Sequence, residues 1–278
     1  MSRPNFSESQ LQQLINTEIV MLLYANRGRK YPPTIVNLHE EFFLGWDTGF
    51  YFPWLWPPPH PDHRGCNFFI QYKLSELIEG PRRREYSLWH CPYLRFHISY
   101  YIKDKISGRY VYDHNQFNNL KDLSNQGYFV YYSTNHIVDK GELFQLSTSN
   151  ALLNEIPFLD VSMINNNHNK ATFTRNSSYF LLHSEPEKTP ITKWDKIYSV
   201  VKEKEGTMLS EDTKLLGDFI LALEKKMDIP DKNGFSADMQ KISDLPRELR
   251  VISKAIIVSR YLKKYLDLHW YKLWLNFR

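Results

Sequence analysis

The 278-residue chain carries 35 Lys and Arg against 31 Asp and Glu, a formal net charge of +4 at pH 7, which is too mild to demand a polyanionic partner. A hydrophobic share of 42% and an aromatic share of 15% provide for a large aromatic core, while only 11 glycines argue against a fold of many tight turns or Gly-rich phosphate loops. No stretch is apolar for long enough to cross a bilayer, the polar start Met1-Ser2-Arg3-Pro4-Asn5 lacks an apolar signal segment, and Cys66 and Cys91 suggest neither a disulfide framework nor a zinc site. A soluble, cytoplasmic protein with no membrane partner is the expectation.

In chain order, Ser7 to about Asn26 reads as a helix, with Ser7 as N-cap and Leu11, Leu14, Ile15, Ile19, Leu22 and Leu23 at helical spacing. Gly28 ends it, and Pro32-Pro33 forces an extended stretch over Thr34–Leu38. Phe42–Phe52 is strand-like, and Pro53–Gly65 is a stiff proline-rich loop. Asn67–Leu74 is a strong strand, Ser75–Gly80 suits a short helical turn, and Tyr93–Ile102 alternates like a further strand. Asp113 suits the N-cap of a helix running to about Asn125, stopped by Gly127. Tyr128–Ser133 is a buried-type strand, and Glu142–Leu146 begins another short helix. Residues 151–190 read as irregular around Phe173 and the strand-like Tyr179–His183. Helices are expected over Lys193–Lys204, Glu211–Met227 and Pro246 to about Leu275, with Asp228–Asp238 as a linker.

The order helix, three strands with one extra, helix, strand predicts a crossover helix, a parallel return strand and a mixed sheet flanked by helices. The division that follows is an α/β domain over 1–190 and a mainly helical region over 191–278. That region is basic at its end. Residues 247–278 hold eight Lys and Arg (Arg247, Arg250, Lys254, Arg260, Lys263, Lys264, Lys272 and Arg278) against Glu248 and Asp267. Arg82-Arg83-Arg84 forms a second basic knot. Both patches suit either a solvated face or a polyanion-binding surface.

Four positions carry chemistry. Gln71 and Lys73 share one face of their strand, opposite Phe68, Ile70, Tyr72 and Leu74. Asp47, in LGWDTGF, sits between two glycines that are costly inside a strand unless a ligand or backbone must come close. Glu18 interrupts the stripe of Leu11, Ile15 and Leu22. It lies either at the stripe's edge, in water or beside a cation, or turned inward, where it needs a partner or a metal. Glu40 and Glu41 are either a solvated pair or substitutes for Glu18, and Trp54 to His60 displays aromatics on a proline frame. Walker, GxSxG, HExxH and dinucleotide-binding signatures are missing from the sequence.

Taken together, Glu18 on the first helix, Asp47 on the second strand and Gln71-Tyr72-Lys73 on the third resemble the PD-(D/E)XK nuclease superfamily, whose core order also maps onto residues 7–133. The resemblance covers about half of the chain and departs from the family at Gln71, where Glu or Asp is commonest. It implies a restriction-endonuclease-like fold and Mg²⁺-dependent hydrolysis of DNA (Mn²⁺ being an alternative ion), as in a bacterial restriction or anti-phage defence system. Asp47, Gln71 and Glu18 would then hold the metal, and Lys73 would act on the phosphate. His114 and Gln116 at a helix start, Arg82, Arg83 and Arg84, and Lys263 and Lys264 are the candidate nucleic-acid contacts. A second subunit, different or identical, is compatible with this. Two other readings stay open: a decayed nuclease-like module that binds nucleic acid or protein, and a helical interaction protein whose Tyr261, Leu262, Leu266, Trp270, Leu273 and Trp274 dock on a partner.

Overall fold

The computed structural model describes residues 2–25, 61–62, 64–81, 83–103, 109–165, 168–184, 186–204, 206–226 and 233–274. The expected extended stretch at Thr34–Leu38, the strand at Phe42–Phe52 and most of the proline-rich loop lie outside them.

The first helix, α1 (Glu8–Ala25), begins where predicted. Ser7 and Gln10 close a capping box: the Gln10 amide donates to Ser7 Oγ at 3.2 Å, and the Ser7 amide donates to Gln10 Oε1 at 3.1 Å. Its stripe of Leu11, Ile15 and Ile19 packs on Phe68, Ile70 and Tyr72 of β1 (Arg64–Lys73).

β1 organises the chain. Every residue of it after Arg64 is buried. One edge pairs in parallel with β6 (Phe129–Thr134), from Phe68 opposite Phe129 to Lys73 opposite Thr134. Its other edge pairs antiparallel with β12 (Leu268–Trp274), from Gly65 opposite Trp274 to Gln71 opposite Leu268. Two residues of β11 (Thr207–Met208) pair with Arg64 and Gly65. There Gly206 lies so close to Gly65 that an added Cβ would sit 2.2 Å from the Gly65 carbonyl carbon, so no other residue fits. β7 (Phe158–Asp160) pairs antiparallel with β6 and completes a mixed five-stranded sheet. The crossover from β1 to β6 passes through α3 (Asn115–Asn125), as the element order predicts. Gly127 follows that helix with φ +90°.

Inserted between β1 and α3 are β2 (Glu76–Ile78), a short helix α2 (Tyr86–Trp89), β3 (Tyr93–His97), β4 (Tyr100–Lys103) and β5 (Tyr110–Asp113). After β6 come α4 (Lys140–Thr148) and α5 (Leu152–Glu155). After β7 come β8 (Lys170–Phe173), β9 (Tyr179–His183) and β10 (Glu187–Pro190). A second, antiparallel sheet runs β10-β9-β8-β3-β2, and β4 and β5 form a separate ribbon. The C-terminal part is helical, with α6 (Trp194–Glu203), α7 (Leu209–Lys226), α8 (Gly234–Lys241) and α9 (Arg247–Leu266), followed by β12.

The molecule is therefore mixed α/β, with a mixed sheet flanked by helices and a helical C-terminal part. On one face of the mixed sheet, Phe69, Val130, Tyr132, Leu268 and Trp270 pack against α3, α7, α9 and the second sheet. On the other, Phe68, Ile70, Tyr131 and Tyr271 pack against α1, α4, α5 and α6, with Phe68 and Tyr271 stacked at 4.7 Å. Residues on both sides of position 190 share each cluster.

Several expectations need correcting. Ser75–Gly80 holds the strand β2, not a helical turn. The single strand expected at Tyr93–Ile102 is two, because the amides of Ile98 and Ser99 both donate to the carbonyl of Asn169 and break the ladder. The described residues of 151–190 contain four strands, a short α-helix and a 3-10 turn at Val161–Met163. Part of the expected linker is α8. The last helix stops at Leu266, where Asp267 caps it in the left-handed conformation with φ 56°. Beyond it, Leu268 and Trp270 turn to one core and Tyr271 to the other, the period-2 alternation of a strand.

Much of the basic charge at this end is answered within the chain. Lys272 and Asp212 form an ion pair with both side chains fully buried, and Lys272 Nζ also donates to the carbonyls of Gly65 and Thr207. Arg260 pairs with Asp238, Lys263 with Asp267 and Arg247 with Asp62. Removing one member of a buried pair leaves the other charge unanswered. Lys272→Met is expected to destabilise the protein by about 3 kcal/mol in urea unfolding, and Lys272→Met with Asp212→Leu to recover most of that loss.

Candidate functional site

In a parallel strand pair, ligand-binding groups gather beyond the carboxyl ends of the strands. At that end of β1 stand Gln71 and Lys73, on the face predicted, but that face is closed: Gln71 is 0% and Lys73 4% exposed. The end of α9 and the start of α3 cover it. The last carbonyls of a helix lack intrahelical partners. Here the Leu266 carbonyl accepts from Gln71 Nε2 at 3.0 Å and from Gln116 Nε2 at 3.2 Å. Gln116, in the first turn of α3, turns its oxygen to Lys73 Nζ at 3.2 Å. Gln71 Oε1 is buried and has no hydrogen-bond partner among the described residues.

The acid on the first helix that meets this cluster is Glu8. Its Oε2 accepts from the Leu74 amide at 3.1 Å. Burial raises the Glu8 carboxyl above the ordinary carboxylate range, opposed by the Lys73 charge and reinforced by Asp267. Burial likewise lowers the Lys73 ammonium, against the pull of Glu8 and Asp267. Desolvation thus opposes the charged form of an acid and of a base at one site.

Glu18 takes a different place. It lies ten residues further along α1, about 15 Å by helical rise. Its two oxygens accept from the amides of Leu152 at 3.2 Å and Leu153 at 2.9 Å, which open α5. Glu18 is therefore turned inward, as the stripe suggested, but it anchors a helix N-terminus. Asp47, Glu40, Glu41, Arg82 and the stretch Trp54–His60 lie outside the described residues. The β1 edge opposite β6 is paired with β12 along Gly65–Gln71. Among the described residues, no group of three or more His, Cys, Asp or Glu is placed to hold a metal.

His114 precedes α3, its Nδ1 2.7 Å from Ser99 Oγ, and Asp113 accepts from the Asn115 amide at 2.9 Å. Arg83 and Arg84 are exposed and belong to the loop leading to the second sheet. Lys263 donates to Gln12 Oε1 at 3.2 Å and pairs with Asp267, and Lys264 lies over the rings of Tyr261 and Tyr265. Both lysines are thus engaged within the chain.

Sequence reasoning missed Glu8, Asp267 and the Leu266 carbonyl. Glu8 carried a signal, since it continues the stripe of Leu11, Ile15 and Glu18 toward the N-terminus. The other two depend on where α9 stops, and no helical period reveals that. No family model, curated protein or solved structure matches the chain.

Beside the cluster, His269 on β12 accepts from Asn16 Nδ2 through Nδ1 at 3.3 Å and packs edge-on to Tyr72. Burial, aided by Lys263, pushes it down to about 3. The unfolded chain therefore binds the extra proton between pH 6.5 and 3, and the stability tied to neutral His269 is lost as pH falls through that window. His269→Phe is expected to flatten the fall in urea midpoint between pH 7 and 4 relative to the wild-type protein.

Proposed function

We propose that the chain is a metal-dependent nuclease of PD-(D/E)XK type, acting on DNA. The observation that carries this reading is a buried amide oxygen with no donor among the described residues, Gln71 Oε1, beside a desolvated lysine at the carboxyl end of a parallel strand pair. A buried acceptor left unpaired costs about 1–3 kcal/mol, and a hard cation such as Mg²⁺ is bound by oxygens of this kind. Gln71 Oε1 and, from the sequence, Asp47 are the groups that would hold it. Such an ion, when bound, supplies Lewis-acid polarisation of a phosphate oxygen.

The chain's own residues supply the rest. Lys73, held toward the site by Gln116, presents an ammonium to developing charge on the phosphate. Glu8, with its raised affinity for protons, accepts the proton released by the attacking water. The half-buried first turn of α3, with His114 and Gln116, is the approach for the strand. A place in a restriction or anti-phage system belongs to the same proposal.

A second reading is favoured by the closure of the cluster. With Gln71 and Gln116 both bonded to Leu266, the nuclease-like scaffold serves binding of nucleic acid or a protein, without cleavage.

Purified protein with Mn²⁺ or Mg²⁺ is expected to nick supercoiled DNA, and Lys73→Ala or Asp47→Ala to slow this by about 10²–10³-fold. A Lys73→Ala protein that cuts at the wild-type rate refutes the assignment, and no cleavage by folded wild-type protein with either ion selects the second reading. Gln71→Glu gives a readout independent of turnover, because it sets a carboxylate against the Leu266 carbonyl. Its melting temperature is expected to fall in EDTA and to be restored by Mn²⁺.

A further inference from the structure

Away from that cluster, the outer side of the second sheet gathers aromatic and cationic groups from two parts of the chain. Trp89, at the end of α2, stacks on Tyr179, at the start of β9, with centroids 5.3 Å apart and an interplanar angle of 21°. Both rings are half-buried. Lys188 on β10 lies 4.7 Å over the Tyr179 ring. The indole is locked from beneath: Trp89 Nε1 donates to Thr172 Oγ1 at 2.9 Å, and that hydroxyl is 2.7 Å from His183 Nε2. The pair is thus a fixed aromatic ledge.

Cationic side chains lie in the same region, Arg84 near enough to His183 and Arg83 near enough to Tyr93 for their charges to be felt there. Arg83 and Arg84 are exposed, and neither has an acidic partner among the described residues. Among the described residues, three acids of this region are committed, Glu85 to Lys170 and Tyr93, Glu76 to Arg3 and Arg95, and Glu187 to His168 and Asn165, while Glu79 is exposed. Fixed aromatic rings beside exposed cations match the chemistry of an unpaired nucleic-acid strand, whose bases stack and whose phosphates seek positive charge.

We propose that this surface is a stacking site for single-stranded nucleic acid, in which Trp89 and Tyr179 take up a base and Arg83, Arg84 and Lys188 meet the flanking phosphates. The site rests on the nucleic-acid reading of the chain and is independent of cleavage. Its distance from duplex chemistry is also explicit, because a paired base offers no free face to the ledge.

The test is anisotropy of a labelled oligothymidylate with the full chain in EDTA, where no cleavage competes. Wild-type protein is expected to bind it more tightly than a duplex of the same length. Trp89→Ala is expected to weaken binding about tenfold, whereas Trp89→Phe, which keeps a ring but loses the bond to Thr172, stays near wild type. Arg83→Glu with Arg84→Glu weakens binding and lowers the slope of log K against log salt by about 1. The proposal is overturned by wild-type protein that binds no oligonucleotide at low salt, by preference for duplex, or by Trp89→Ala binding like wild type. It is also overturned if Trp89→Phe loses as much as Trp89→Ala, which assigns Trp89 to holding Thr172. Retained binding with no cleavage in Mn²⁺ removes the catalytic reading alone. Cleavage that persists without any Trp89 effect removes the stacking site alone.

Discussion

The enclosure of β1 on four sides is the constraint from which the rest follows. Both faces are covered by helices, and both edges are hydrogen-bonded, to β6 and to β12. Water is excluded from a strand so placed, and any polar side chain on it must be answered internally. Asn67 is answered by Asp212 and Trp270, and Lys73 by Gln116 and the charges of Glu8 and Asp267. Among the described residues Gln71 is answered only through its nitrogen, by Leu266.

That enclosure ties the candidate site to the end of a distant helix. α9 stops because Asp267 adopts a left-handed conformation, and the chain then turns directly into the strand that pairs with β1. The carbonyl released by that stop is the acceptor on which two glutamines converge, one from β1 and one from the crossover helix. Position, protonation and access at the cluster are therefore set jointly by α1, β1, α3 and the α9–β12 junction.

The local pattern made some of this legible. The α1 stripe, the strong β1 strand, the crossover helix with its Gly127 stop and the parallel return strand are encoded in short-range periodicity and capping, and they are found. The shared face of Gln71 and Lys73 was equally readable. What covers that face was not, because Leu266 is 195 residues from Gln71. The run after Asp267 reads as a continuation of an amphipathic helix, and only pairing with β1 makes it a strand. Glu18 shows the limit of a single position. An inward carboxylate was visible, yet whether a metal, a cation or a helix N-terminus answers it depends on α5, which pattern alone left in an irregular stretch.

The pairing of β1 with β12 also bears on how the chain is made. During synthesis β1 emerges long before its antiparallel neighbour, so the exposed edge and the cluster above it stay unfinished until Leu268–Trp274 leaves the ribosome. A nascent chain in that interval has an apolar strand edge open to wrong partners. It also lacks the junction that brings Lys73 and the glutamines together, so the cluster is assembled only once β12 has paired with β1.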